Sequence, residues 1–399
     1  MTKVSETQCG FPWPHHSLSR WPVLLLALIG AQMLAATVWA DPADWVPERR
    51  RSYEDRRPNE YLIVPAIASL PGIGVFAGVI SSGSNLGDTG VDVAATVARS
   101  IDNTDIDVQF IGIREIPLIK QYLTLEYWYG HFRLGNFQTY LPGRHSPNFT
   151  IPITAEFDFQ MLRPVLRFWE RRISLSYSLT YFNGFDFDQN GNEVANSNNG
   201  ASADFLLDLT DDVVNATKGF RFHYNTTLPA PTRTIFGRTN KPSGIFDNND
   251  ITVENYEMTG YIPLTSRWGL VLDTQFFQAR GAEGRGDVIA GGSPPLRGYP
   301  EGRWSDRYGV FGAVELRYTI PINYNLDIYL AHGLIEGLQF ALFTDMGQVA
   351  PRNDSSLFQS MHHSYGAGFR VLLEAIVLRL DLANSDEGLQ THLTIDQPF

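Results

Sequence analysis

The 399-residue chain has one cysteine, Cys9, which leaves no room for a disulfide framework or a thiolate metal site. Charge is also scarce. Only 19% of residues are charged, below the rough quarter usual in a globular domain, and the balance is acidic at −12. That acidity excludes nucleic acid as a partner, because phosphates demand clustered Lys and Arg. Long apolar runs are missing everywhere except the N-terminus, which excludes a helical membrane bundle. Disorder is excluded by a composition that is 43% hydrophobic and 13% aromatic. No Gly-x-Ser-x-Gly elbow, His-Glu-x-x-His pair or phosphate-cradling glycine loop occurs, and Gly72 and Gly74 sit in a turn without making a dinucleotide fingerprint. The expectation is a chain that is not an enzyme and carries no cofactor and no metal.

The single apolar run, Pro22 to Ala40, follows Lys3 and Arg20 and closes on Val38 and Ala40 ahead of Asp41. Basic start, short apolar core and small-residue exit are the three parts of a secretory signal. A membrane anchor is the competing reading, but the apolar core is only about 15 residues and no stop-transfer charge follows it directly. Cys9 precedes the core, so a lipoprotein anchor is also excluded. Residues 1–40 are therefore expected to be a cleaved signal peptide. Residues 41–59 are expected to be a short, charged, Pro-bearing periplasmic linker, and residues 60–399 a single domain.

In that domain the hydrophobic period is two. Ile173, Leu175, Tyr177, Leu179 and Tyr181 alternate with Ser174, Ser176, Ser178 and Thr180, and Val310, Gly312, Val314, Leu316 and Tyr318 alternate with Ala313, Glu315 and Arg317. Such alternation puts one face of each strand in an apolar environment. A soluble sandwich would bury that face in a core that excludes charge. A membrane barrel turns it to lipid and leaves the polar face to a wet interior. Charge on the polar face (Glu315/Arg317, Arg379/Asp381) and aromatics at strand ends (Tyr127, Trp128, Tyr129) favour the barrel. So does a C-terminal strand ending in Phe399, in parity with Leu389, Leu393 and Ile395. The pattern predicts an all-β, transmembrane antiparallel barrel of sixteen strands in a Gram-negative outer membrane, with outer-membrane lipids around it. Long connections are expected near 133–151, 185–202, 227–252, 280–306 and 349–362, and tight turns near 117–118, 211–215 and 264–266. The stretch 321–336 breaks this alternation, being long where a tight turn is due.

Three segments narrow the assignment. Leu296-Arg297-Gly298-Tyr299-Pro300-Glu301-Gly302-Arg303 precedes the strand Val314-Glu315-Leu316-Arg317-Tyr318, and Phe343-Thr344-Asp345-Met346-Gly347 follows. Thr217-Lys218-Gly219-Phe220 and Ser364-Tyr365-Gly366-Ala367-Gly368 fit the same order. This series resembles the BamA/TamA-like surface-antigen barrels, clearly over 216–399 and by strand count alone over 60–215. The resemblance implies a long loop folded into the barrel, with Arg297 pinned to an acidic residue of the inner wall. Parity places Glu315 and Asp345 on the inner face of the twelfth and thirteenth strands, where a guanidinium could bridge them bidentately. Gly298 and Gly347 would allow close approach, and Tyr299 completes the motif. A solvated Arg297 with Asp345 as a mere lining residue is the alternative. Phe399 would serve as the C-terminal strand signal. Family members that assemble or secrete proteins carry periplasmic repeats of roughly 75 residues, which residues 41–59 cannot hold. The chain thus resembles the repeat-less branch, without docking sites for chaperones or lipoproteins. The implied function is insertion or translocation of a client polypeptide; a passive channel or structural barrel is the alternative.

Two further motifs are weaker. Asp186, Asp188, Asn190 and Gly191 match the first half of a calcium loop, but Ser197 stands where a bidentate Glu is required. His362 and His363 are neighbours on a strand, so they point to opposite faces and cannot chelate together.

Overall fold

A computed structural model describes residues 59–395, apart from 71–73, 102–104, 120–121, 141–142, 148–149, 188–192, 229–251, 281–287, 291–295 and 374–375. The expected signal peptide, nearly all of the linker, and Phe399 lie outside the described residues.

The chain is built of strands. The first six are β1 (Glu60–Leu70), β2 (Gly74–Ser84), β3 (Asp92–Ser100), β4 (Ile106–Ile119), β5 (Leu123–Tyr140) and β6 (Thr150–Phe168). Next come β7 (Ile173–Phe187), β8 (Glu193–Asp208), β9 (Gly219–Leu228), β10 (Thr252–Pro263) and β11 (Trp268–Arg280). Two short strands, β12 (Val288–Ala290) and β13 (Trp304–Asp306), pair only with each other inside one connection. The series ends with β14 (Tyr308–Ile328), β15 (Ala331–Ala350), β16 (His362–Leu373), β17 (Val377–Ser385) and β18 (Gly388–Ile395). Sixteen of them, all but β12 and β13, form one antiparallel sheet in chain order.

The two faces of the sheet differ in an unusual sense. On β14 to β17, Glu315, Arg317, Asp345, Arg370, Arg379 and Asp381 are buried. Their neighbours of opposite parity stand open: Leu342 is 62% exposed, Tyr365 63% and Leu382 45%. A water-soluble protein rarely buries charge and exposes leucine in one sheet. A closed sheet with an apolar outer wall and a polar interior has this arrangement.

Closure departs from the simple first-to-last pairing that sixteen strands suggest. Among the described residues β18 pairs with β17 alone, while β1 pairs with β2 and with β15. Tyr61 and Leu62 face His332 and Ala331, and Ile63 N–H donates to Leu330 O at 2.8 Å. The hydrogen-bonded ring therefore passes through thirteen strands, β1–β11, β14 and β15. Strands β16–β18 continue the sheet outside that ring, and β18 comes within 8 Å of β1 at the Cα without a ladder.

The cause lies in the stretch 321–336, read from sequence as a long connection. It is instead the end of a long hairpin: β14 runs on to Ile328, β15 starts at Ala331, and Tyr329 and Leu330 form the turn. Pro321, Asn323 and Asn325 conceal the strands, since Pro and Asn are depleted in sheets. A register shift between Pro321 and Tyr324, with Asn323 at φ 57°, absorbs the proline. Because β16 pairs with β15 only as far as Ile335, the hairpin overhangs and offers its edge to β1. Glu60, fully buried, fastens the join by accepting Leu334 N–H at 3.1 Å. Gly333, at φ 146° and packed on the Glu60 side chain, has no room for a Cβ.

The segment 185–202 is a second correction. Strand β7 continues to Phe187 and β8 begins at Glu193, with Asp186 opposite Val194 and Asn183 opposite Ser197. A twelve-residue calcium loop cannot form where both flanks are laddered.

Candidate functional site

Strand parity brings three carboxylates to one patch of the inner face. Glu315 lies on β14, Asp345 on β15 and Asp381 on β17, all with at most 1% of their surface exposed. Residues 296–303, from the connection between β11 and β14, lie against this patch with Leu296, Arg297 and Tyr299 buried. The Arg297 guanidinium forks onto Asp345, with Nε to Oδ2 at 3.0 Å and Nη2 to Oδ1 at 2.6 Å. Nη1 reaches Glu315 Oε2 at 3.0 Å and Asp381 Oδ2 at 3.1 Å. The backbone N–H of Arg297 also donates to Asp345, and the guanidinium stacks 3.3 Å from the Phe343 ring centroid. Taking this many charges out of water is costly, and only such dense pairing offsets it.

Further arginines surround the carboxylates. Arg317 Nε donates to Glu315 Oε1 at 2.7 Å, and Arg370 Nη2 pairs with the same oxygen at 2.8 Å. Arg379 Nε lies 3.1 Å from Asp381 Oδ2. Glu315 is thus held by three guanidiniums, Asp381 by two, and Asp345 by Arg297 together with the Ser364 hydroxyl at 3.3 Å.

The residues after Arg297 tie the loop to the β17–β18 hairpin. Gly298 O accepts from Ser385 Oγ at 2.6 Å, and a Cβ at Gly298 would overlap Ser364 and crowd the Asn384 carbonyl. Tyr299 Oη donates to Asp386 Oδ1 at 2.6 Å, and its ring packs edge-on to Trp304. His392 Nε2 lies 2.7 Å from Arg297 O. Arg303 pairs with Glu387 at 2.7 Å and donates from Nη1 to Ser146 Oγ at 3.1 Å, which draws in the β5–β6 connection. Gly143 N–H donates to Ser305 O at 2.7 Å, and Arg144 Nη2 to Gln359 O at 2.6 Å. At this end the connections of both halves of the sheet are therefore linked.

Arg297, Glu315 and Asp345 are in direct contact, and Gly298 and Tyr299 are one and two bonds along the same loop. Gly347 lies apart from the ion pairs, opposite Phe311, whose ring covers it. Sequence reasoning missed Asp381, Arg370, Arg379 and His392 as members of this cluster, and missed Arg303 with Glu387. The signal for Asp381 and Arg379 was present in their inward parity; what joins them to Arg297 is the proximity of β17, which a loop motif does not encode. His362 stacks on Trp304 at 3.6 Å between ring centroids. Among the described residues no group of three or more His, Cys, Asp or Glu side chains could hold a metal ion. The cluster is made chiefly of guanidinium–carboxylate pairs, and a guanidinium keeps its proton near neutrality, so the arrangement suits clamping.

No family model and no curated protein matches the chain. Solved structures do. BamA from Haemophilus ducreyi lacking POTRA domains 1–3 superposes with a TM-score of 0.51 at 13% identity, over 84% of this chain and 68% of that one. CdiB from Escherichia coli gives 0.54 at 14% identity, and CdiB from Acinetobacter baumannii 0.51 at 14%. In both, 84% of this chain is covered, and it spans 61% and 59% of their lengths. At such identities the likeness speaks for architecture: the chain has the fold of the BamA and CdiB barrels.

Proposed function

We propose that the chain is a Gram-negative outer-membrane barrel of the BamA/TamA-like kind, which assists the insertion or passage of a client polypeptide. In this reading residues 1–40 are the export signal and residues 41–59 a periplasmic linker. The exposed apolar wall, with Val97 60%, Leu342 62% and Leu389 65% exposed, faces outer-membrane lipid. The Arg297 loop is a lock that holds loop and wall in one register.

The observation that carries the reading is the seam. Strands β1 and β18 lie side by side without a ladder among the described residues, and the hydrogen bonds of β1 go to the overhanging hairpin instead. Unladdered strand edges can accept an incoming strand. A passive structural barrel is the second reading, favoured by an interior packed with side-chain ion pairs beneath the loop.

A staple distinguishes the two. Leu62 and Ala331 are register partners, and the chain beyond Cys9 has no cysteine of its own. Leu62→Cys with Ala331→Cys is expected to oxidise spontaneously and to fix β1 on the hairpin. If the seam must move, the oxidised form gives a defect in envelope composition or cargo secretion that reductant reverses. Full activity of the oxidised form would reject the insertion reading in favour of the passive one.

A further inference from the structure

A cavity of about 30 Å³ lies on the inner face at the end of the barrel formed by the β10–β11 turn. Its walls include Arg317 and Thr319 of β14, Gln339 of β15, Tyr261 of β10, Arg267 of the β10–β11 turn, and Gly269 at the start of β11. One water needs roughly 10–15 Å³ of such space, so the cavity has the size of two waters or one small ion. Two arginines contribute to the lining, and no aspartate or glutamate does.

The buried side-chain atoms of its lining that lack a hydrogen-bond partner are donors. Arg317 is 4% exposed, and although Nε is taken by Glu315, Nη1 and Nη2 are buried with no hydrogen-bond partner. The Thr319 hydroxyl oxygen accepts from Gln339 Nε2 at 3.0 Å, which leaves its proton to donate. The acceptor of Gln339 is already used, since Oε1 takes Arg370 Nη1 at 2.9 Å. Asp211 accepts from the N–H groups of Thr217, a lining residue, and Lys218 at 2.9 and 3.0 Å. Two buried guanidinium nitrogens beside such a space are costly to leave unmet.

Space for the ion comes from Gly269. It is the register partner of Arg317, so a side chain there would project on the same face. A Cβ built on it meets nothing closer than the Ile262 carbonyl at 4.0 Å. We propose that this cavity is a binding site for a monatomic anion of chloride size, held by the two Nη groups of Arg317 and the Thr319 hydroxyl above Gly269.

Bromide provides the probe. Crystals of the full chain soaked in bromide, measured at the bromine edge, are expected to show an anomalous peak beside Arg317 Nη1 and Nη2. In detergent at constant ionic strength, replacing gluconate by chloride should raise the thermal unfolding midpoint by about 2–4 °C and saturate. Arg317→Gln should lose both effects. Since that variant also disturbs Glu315 and could fail to fold, Gly269→Ala serves as the second: its methyl fills the cavity and leaves every Arg317 contact in place. The proposal is overturned if no bromine peak appears, meaning that water alone fills the cavity. It is equally overturned if the chloride effect persists undiminished in Gly269→Ala.

Discussion

Arg297→Ala is expected to lower barrel stability by about 3–5 kcal/mol, the usual cost of removing one partner from a buried ion pair. The change strands one carboxylate more than the others. Glu315 keeps Arg317 and Arg370, and Asp381 keeps Arg379, whereas Asp345 loses its only guanidinium and is left with the Ser364 hydroxyl and the backbone N–H of residue 297. The folded, heat-modifiable fraction on unheated gels and the urea midpoint should both fall, and outer-membrane levels with them. A buried carboxylate stripped of its cation costs stability for as long as it stays charged, so the defect should be plain at neutral pH. A midpoint equal to wild type would mean that the loop contributes nothing to the barrel.

Glu315→Gln should be more damaging. Its carboxylate is the ion-pair partner that Arg317 and Arg370 share, each at under 3 Å. Glutamine keeps the shape and removes the charge, so two buried guanidiniums lose the one carboxylate they share. Neither can neutralise itself, because arginine stays protonated throughout the working range. A loss above that of Arg297→Ala is expected in the same urea midpoint at neutral pH. A loss no greater than that of Arg297→Ala would show that the charges around Glu315 are wetter than their burial implies.

Most of the architecture was legible because a barrel wall repeats one rule, apolar out and polar in, over many strands. All sixteen sheet strands can be read this way, and Glu315 and Asp345 fall on the inner face by parity alone. The rule fails where strand chemistry is overwritten. Pro321, Asn323 and Asn325 read as a loop, although pairing with β15 carries the strand through them to Ile328. Residues 185–202 read as a long polar loop for the same reason, yet cross-strand pairing continues β7 and β8 to within a few residues of each other. Closure was not legible at all, since the meeting of β1 with β15 depends on how far one hairpin overhangs its neighbour. The site was half legible. The motif around Arg297 and the two nearby carboxylates stand out in the sequence, while Asp381, Arg370 and Arg379 join only when the sheet curves round the loop.

The most direct measurement is the coupling between Arg297 and Asp345 in a double-mutant cycle. Arg297→Met, Asp345→Asn and the double variant would be compared by urea unfolding in lipid vesicles at neutral pH. A bidentate buried pair should give a coupling of about 2–3 kcal/mol, with the double variant more stable than the sum of single losses implies. Additive losses, within about 0.5 kcal/mol, would contradict the lock and leave Arg297 as a loop charge that the wall does not hold.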